Sequence, residues 1–288
     1  MELVFLGSGP VALKSLHLLS RHQEIEAIIT KPSTEDDFKK HFSDIPIYTV
    51  TNKHDLDNLI QSTKFRSKIA VLIDFGIIVS SQVINYFPKG IINSHFSLLP
   101  QWRGADPISF AILSGQQSSG VSLMLIDEGM DTGKILVQKS IKIPEKANIN
   151  TLTDILINLS DNLLKDNISK YIKDDIKPRN QPHADRATYS RKLQKIDGKI
   201  DWHKPAAEIE REIRAYYTWP KSYTKINNIE VIVRQAEVLN SQGNAGEYRS
   251  TKNSLIIFCG QDALSITTLQ PAGKKEMPVS AFLAGYKI

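Results

Sequence analysis

Leu3-Val4-Phe5-Leu6-Gly7-Ser8-Gly9-Pro10-Val11-Ala12 opens the chain with four apolar residues in a row, a glycine-containing turn and the start of a helical pattern. The run 3–6 reads as a strand buried on both faces. Over 12–21, Leu13, Leu16 and Leu19 fall on one helical face. A second strand pattern follows at 25–30. The alternation continues with helical turns at 55–61, a strand at 69–73, a helix around 81–86, a strand at 90–94, a helix at 107–113 and strands at 121–126 and 135–143. Alternating strands and helices predict an α/β domain, a doubly wound and mostly parallel sheet. Such sheets place their ligands at the carboxyl ends of the strands.

Outward from there the texture changes. A long helical pattern over 150–174 carries Leu152, Ile155, Leu156, Leu159, Leu163 and Leu164 on its apolar side. Lys177-Pro178-Arg179-Asn180-Gln181-Pro182-His183 is polar and broken by proline, which reads as a connector. After a helical pattern at 206–216 the tail holds short strand candidates at 222–226, 230–236, 255–258 and 264–269, separated by Asn227-Asn228, Gly243-Asn244 and Gly260-Gln261. Short strands between turn residues predict a small OB-like β-barrel, a common nucleic-acid platform. We therefore expect a catalytic domain over 1–180, a linker over 181–200 and a second domain over 201–288.

Composition supports two packed domains. The 288 residues are 41% hydrophobic, 23% charged and 8% aromatic, which excludes intrinsic disorder, collagen and small disulfide scaffolds. The one cysteine, Cys259, follows the apolar run 255–258 and reads as core; no CxxC is present to hold zinc. The longest apolar stretch, 69–79, is broken by Asp74 and falls short of the ~20 residues that cross a bilayer. The start lacks the basic flank of a signal peptide. Together these lead us to expect a cytoplasmic protein with no membrane partner. Residues 1–188 carry 21 Lys+Arg and 21 Asp+Glu, whereas 189–288 carry 15 and 10, so the whole excess of +5 lies in the tail. Such an imbalance fits a neutral body with a module that meets something anionic, or simply a well-solvated surface.

Three clusters carry candidate chemistry. Gly7-Ser8-Gly9-Pro10-Val11-Ala12 fits GxGxxA after a strand, but a dinucleotide site needs an acid at the end of the second strand. That strand ends at Thr30-Lys31, with Glu24 and Glu26 at its beginning. We read the cluster as a tight strand-to-helix turn. The second runs Asn93-Ser94-His95-Phe96-Ser97-Leu98-Leu99-Pro100-Gln101-Trp102-Arg103-Gly104-Ala105-Asp106-Pro107. Asn93 and His95 are two apart at a strand end and leave one face of the sheet. A lone histidine there is ordinarily structural, but an amide donor beside an imidazole can hydrogen-bond a forming oxyanion. The third, Asp127-Glu128-Gly129-Met130-Asp131-Thr132-Gly133, lacks EF-hand spacing. Its carboxylates are either turn-formers or able to reach His95 and fix its tautomer.

Asn93, His95, the segment 97–100 and the loop 127–133, at this spacing, resemble the formyltetrahydrofolate-dependent formyltransferases. The resemblance implies a catalytic trio of Asn93, His95 and Asp131. It also implies a folate pocket from Phe75, Gly76, Ile77 and Ile78 with Ser97, Leu98, Leu99 and Pro100. Ile200-Asp201-Trp202, the run 213–220 ending in Trp219-Pro220, and Gln270-Pro271-Ala272-Gly273-Lys274-Lys275-Glu276-Met277 are similar to the branch of the family that formylates methionyl-tRNA. The first two motifs are shared with sugar N-formyltransferases; the last favours the tRNA branch. The resemblance thus implies formyl transfer from 10-formyltetrahydrofolate to the α-amino group of initiator methionyl-tRNA, with no metal, by a monomer. The candidate tRNA contacts are Lys192, Lys195, Lys274 and Lys275. The alternatives are a sugar-nucleotide N-formyltransferase with the same folate donor, a formylfolate hydrolase, a nicotinamide-dependent oxidoreductase and a non-catalytic tRNA-binding protein. Two departures stand out. Phe96 occupies a position that is small or proline in relatives, and 31–41 is shorter and more acidic than the basic insertion the tRNA enzymes carry there.

Overall fold

The computed structural model describes residues 2–288. The chain divides into two compact units. The first comprises residues 1–107, 118–142 and 153–190, and the second 108–117, 143–152 and 191–288. Each is described by itself.

The first unit is built on a seven-stranded sheet. In chain order its strands are β1 (Glu2–Gly7), β2 (Glu24–Thr30), β3 (Ile47–Thr49), β4 (Ala70–Ile73) and β5 (Ile91–His95), then, past the two-residue β6 (Arg103–Gly104), β7 (Ser118–Leu125) and β8 (Ile135–Lys142). The spatial order is β3-β2-β1-β4-β5-β7-β8. The first five are parallel, and β7 and β8 run antiparallel at the edge. The strand order reverses between β1 and β4, the crevice where doubly wound sheets take their ligands. β1 and β4 are apolar because helices cover both faces: α1 (Gly9–Leu19), α2 (Glu35–His41), α3 (Lys53–Ser62) and α4 (Ser81–Tyr86) follow the strands in the chain, as does α6 (Ile149–Ile172) from residue 153 on, whereas α5 (Pro107–Leu113) falls almost wholly in the second unit.

The opening glycine turn is structural. A Cβ on Gly7 would lie 2.6 Å from the Phe5 ring, 2.7 Å from Ala12 Cβ and 2.8 Å from the Ile73 carbonyl, so glycine is what lets β1, β4 and α1 close together. The Ser8 hydroxyl donates to the carbonyls of Asp74 and Phe75 rather than capping α1. An Asp74 carboxylate oxygen lies 3.5 Å from where a Gly9 Cβ would stand, a poor neighbour for a pyrophosphate.

Sequence periodicity missed the short elements. The acidic stretch after β2 folds as a 3₁₀ turn (Pro32–Thr34) and α2 around the fully buried Phe38. Glu35, Asp36 and Asp37 occupy the first turn of α2 and Lys39, Lys40 and His41 the last, the arrangement that complements a helix dipole. The stretch 177–183, read from sequence as a connector, is fastened to the first unit. Arg179 exchanges backbone hydrogen bonds of 2.9 and 2.7 Å with Ile135, and Gln181 is buried. Its prolines forbid a helix without preventing single backbone pairings. Just beyond, β9 (Tyr189–Ser190) pairs parallel to β6.

The second unit is a curled antiparallel sheet. It contains α7 (Ala206–Ala215), β10 (Ser222–Ile226), β11 (Ile229–Leu239), β12 (Tyr248–Ser250), β13 (Leu255–Phe258), β14 (Ala263–Pro271), β15 (Met277–Pro278) and α8 (Val279–Gly285). The order is β10-β11-β14-β13-β12, with β15 also on β14. The long β11 shifts register against β14 between Val233 and Ala236, which bends it. Ile209 and Ile213 of α7 join Val231, Val233, Leu264, Ile266, Leu269 and Phe282 in one core. Cys259 is buried in the same core, and loss of hydration pushes its thiol up to about 11.

Candidate active site

β5 sits between β4 and β7 and is buried along its whole length. The alternation of a strand sends Asn93 and His95 to one face and Ser94 to the other, where the Ser94 hydroxyl meets that of Ser160 on α6 at 2.6 Å. That bond pins the strand from behind. On the front, Asn93 and His95 are 9% and 6% exposed.

Asp131 reaches both from the loop after β7. Asn93 Nδ2 donates to Asp131 Oδ1 at 3.3 Å, and Asp131 Oδ2 lies 3.7 Å from His95 Nδ1. The three expected trio residues therefore meet in one place. The imidazole, however, is held by a partner that sequence reasoning did not find. His95 Nε2 lies 2.9 Å from the Trp102 carbonyl, and a carbonyl only accepts, so the proton sits on Nε2. At 3.7 Å the Asp131–His95 contact is too long for a hydrogen bond. The tautomer is fixed by a backbone carbonyl, not by the carboxylate.

The Asp131 carboxylate is oriented by Gly104, whose N–H donates to Oδ2 at 2.8 Å. Gly104 has φ +113°, and a Cβ there would lie 2.3 Å from the Ser190 carbonyl, so no other residue fits. Trp102 and Asp131 have φ of +56° and +51°, left-handed values that cost side-chain-bearing residues energy and persist only where neighbours enforce them. At Asp131 the enforcing neighbour is Gln181, itself held by Arg103, and both are buried. Gln181 Nε2 donates to the carbonyls of Asp131 (2.6 Å) and Gly133 (3.0 Å). Its Oε1 accepts from Arg103 Nε (3.2 Å) and Nη2 (2.7 Å).

The two expected folate segments follow the ends of the adjacent parallel strands β4 and β5. Within them the residues differ in what they can offer. Phe75 and Leu99 are core side chains, 1% and 2% exposed. The Phe75 carbonyl is taken by Ser8, the Leu99 N–H by Ser122 and the Leu99 carbonyl by Gln138. Gly76 has φ +63° and receives Lys31 Nζ on its carbonyl at 3.3 Å. The Ser97 hydroxyl donates to the Gln101 carbonyl. Leu98 and Pro100 are half-buried, Ile77 is half-buried and Ile78 is 78% exposed.

Asp74, the acid that interrupts the apolar stretch, stands at the β1/β4 reversal. Water reaches its side chain, but the protein around it removes hydration and pushes its pKa up to about 6. Lys31 opposes that rise and Asp106 adds to it. Among the described residues no group of three or more His, Cys, Asp or Glu could hold a metal ion. No helix there is long and apolar enough to cross a membrane.

The candidate tRNA contacts all lie in the second unit. Lys192, Lys195, Lys274 and Lys275 are exposed, and among the described residues none forms an ion pair. Lys274 and Lys275 project from the turn between β14 and β15, held by Gln270 Nε2 on the Lys274 carbonyl at 2.9 Å.

Of the residues around the carboxylate, Trp102, Arg103 and Gly104 lie in the second sequence cluster, where no motif marks them for this task, and Gln181 lies in the polar, proline-broken stretch 177–183. Nothing in its local sequence separates it from a solvated glutamine.

A family model described as "Formyl transferase" matches residues 13–168, and one described as "Formyl transferase, C-terminal domain" matches 192–287. The chain is 34% identical to a methionyl-tRNA formyltransferase of Thermodesulfovibrio yellowstonii, over 99% of this chain and 96% of that protein. Among solved structures it resembles an N-formyltransferase from Helicobacter canadensis in complex with folinic acid and dTDP-3-aminofucose. That match has TM-score 0.70 and 20% identity, over 92% of this chain and 99% of the other. HypX from Aquifex aeolicus in complex with tetrahydrofolic acid matches with TM-score 0.66 and 16% identity, over 98% of this chain and 46% of that one. At such identities the structural likeness is one of fold.

Proposed function

The chain belongs to the formyl transferase family, and we propose that it moves a formyl group from 10-formyltetrahydrofolate to the α-amino group of initiator methionyl-tRNA. The observation that carries this reading is the convergence of Asn93, His95 and Asp131 on one point of β5, in a chain similar over 99% of its length to a methionyl-tRNA formyltransferase.

The residues divide the chemistry as follows. The amine nitrogen adds to the formyl carbon, and the carbonyl oxygen becomes an oxyanion. Asn93 Nδ2 carries two N–H groups; one goes to Asp131, leaving the other for that oxygen. His95 holds its Nε2 proton on Trp102, which leaves Nδ1 as the edge that meets the oxyanion. Asp131 takes the proton the attacking nitrogen releases, directly or through water. Collapse of the intermediate then breaks the carbon–N10 bond, and the proton passes to N10 of the departing tetrahydrofolate. No covalent intermediate on the enzyme is required.

The folate lies against the loop after β4 and the 97–100 turn. Because Phe75 and Leu99 are committed to the core, the contacts come from the Gly76–Ile78 backbone, the exposed Ile78 side chain and the half-buried Leu98 and Pro100. The tail module, with Lys192, Lys195, Lys274 and Lys275, meets the tRNA backbone. The enzyme acts as a monomer in the cytoplasm.

The test supplies labelled 10-formyltetrahydrofolate together with initiator methionyl-tRNA, elongator methionyl-tRNA or a dTDP-amino sugar. Label moving to the initiator species is the expected result. Label moving to the sugar nucleotide alone would transfer the reading to the sugar branch, and label released only as formate would make the protein a hydrolase.

A further inference from the structure

We propose that Gln181, backed by Arg103, is a positioning residue that sets the backbone of Asp131 and thereby aims its carboxylate. This rests on the role given to Asp131 above.

A carboxamide has two N–H donors and one oxygen with two lone pairs. Gln181 uses all four, two on the carbonyls of Asp131 and Gly133 and two on the Arg103 guanidinium. Its orientation is unambiguous, because arginine only donates and carbonyls only accept. The residue is 8% exposed and Arg103 6%. A guanidinium is costly to bury, and here Nε and Nη2 of Arg103 donate to a neutral amide instead of a carboxylate.

Arg103 immediately precedes Gly104, the residue whose N–H holds Asp131 Oδ2. One side chain thus ties together the strip that orients the carboxylate and the loop that carries it. The clamp grips the Asp131 carbonyl, at the residue whose φ is +51°. Without it, the peptide is free to relax toward an ordinary conformation. The carboxylate would then swing away from Asn93 and His95 although no reacting side chain had been replaced. Misplacing a reacting group by ~1 Å costs about 10²-fold in rate.

Two substitutions separate positioning from mere stability. Gln181→Glu keeps an acceptor for Arg103 but loses both donors to the loop, and Gln181→Met keeps the bulk and loses every bond. Arg103→Lys is a milder third variant that keeps the charge and gives up the fork. The measurements are kcat, KM for folate and for methionyl-tRNA, and amide hydrogen exchange over 127–134. We expect kcat to fall about 10²-fold in both Gln181 variants, with each KM within about twofold of wild type. Exchange should quicken in 127–134 while β5 and the second unit stay protected. Wild-type kcat with unchanged exchange in Gln181→Glu overturns the proposal. So does a loss in which exchange rises throughout the chain, the signature of a structural role. If the wild-type protein itself transfers no formyl group, the functional reading fails, and the exchange measurement still decides whether Gln181 holds the loop.

Discussion

Replacing Asp131 by asparagine removes a charge and one acceptor while leaving size and shape almost untouched. The carboxylate accepts from Gly104 N–H at 2.8 Å through one oxygen and from Asn93 Nδ2 at 3.3 Å through the other. A carboxamide has one oxygen, so its NH₂ must face one of two donors, and one charge-assisted bond becomes a donor–donor contact. Such a bond is worth about 1.5–3 kcal/mol. At 1.36 kcal/mol per tenfold, misorientation alone slows the chemical step roughly 10- to 150-fold. Loss of the proton acceptor adds about 10²-fold or more, so the combined expectation is at least ~10³-fold in kcat. The assay is single-turnover transfer of labelled formyl to methionyl-tRNA, with folate affinity measured separately by calorimetry. A drop of less than tenfold, or one confined to KM, would refute the assignment of Asp131 to both tasks.

Asn93→Ala removes the amide proposed to meet the oxyanion and should lower kcat by about 10²–10³-fold; steady-state kinetics at saturating folate reads it. Reversing Lys274 and Lys275 to glutamate should weaken tRNA binding and flatten its dependence on salt, each lost phosphate contact removing about 0.7–0.9 from the log–log slope. Filter binding across a salt series measures this, and an unchanged slope takes both lysines out of the interface. Asp74→Asn should affect stability in a pH-dependent way. Its pKa is raised in the folded chain to about 6, so the folded state favours the protonated acid, and the stability from that preference is lost as pH rises through about 6. The asparagine variant should therefore be more stable than wild type above about pH 6, and the two should converge below the ordinary aspartate range. Urea midpoints at pH 7.5 and at pH 3.5 provide the comparison; a constant difference across that range would contradict the burial argument.

The fold was legible because the large elements announce themselves through apolar content. Runs such as 3–6 and 69–73 need cover on both faces, and Ile209 and Ile213 need a sheet to lie on. Short elements carry no such period. β3 has three residues and β6 and β9 two each, so their pairing depends on what neighbours them in space. Asn93 and His95 were legible for a related reason, since they share a strand face by the pleat alone; Asp131 was singled out from the carboxylates of its loop only by the resemblance to the formyltransferases.

The supporting groups were not legible. Gln181 acts from 50 residues beyond the carbonyl it holds, and nothing local marks it. Trp102 serves through its backbone carbonyl, which every residue possesses, so its side chain carries no sign of the task. Sequence by itself determined the alternation of the long strands and helices and the sharing of one strand face by Asn93 and His95, because those follow from periodicity; the choice of Asp131 among the loop's carboxylates came from the resemblance to the formyltransferases. Tertiary structure alone decided which nitrogen of His95 bears the proton and what holds Asp131 in place. Hydrogen bonds between distant segments are directional and short-ranged, and they exist only once the packed sheet has brought their ends within 3 Å or so.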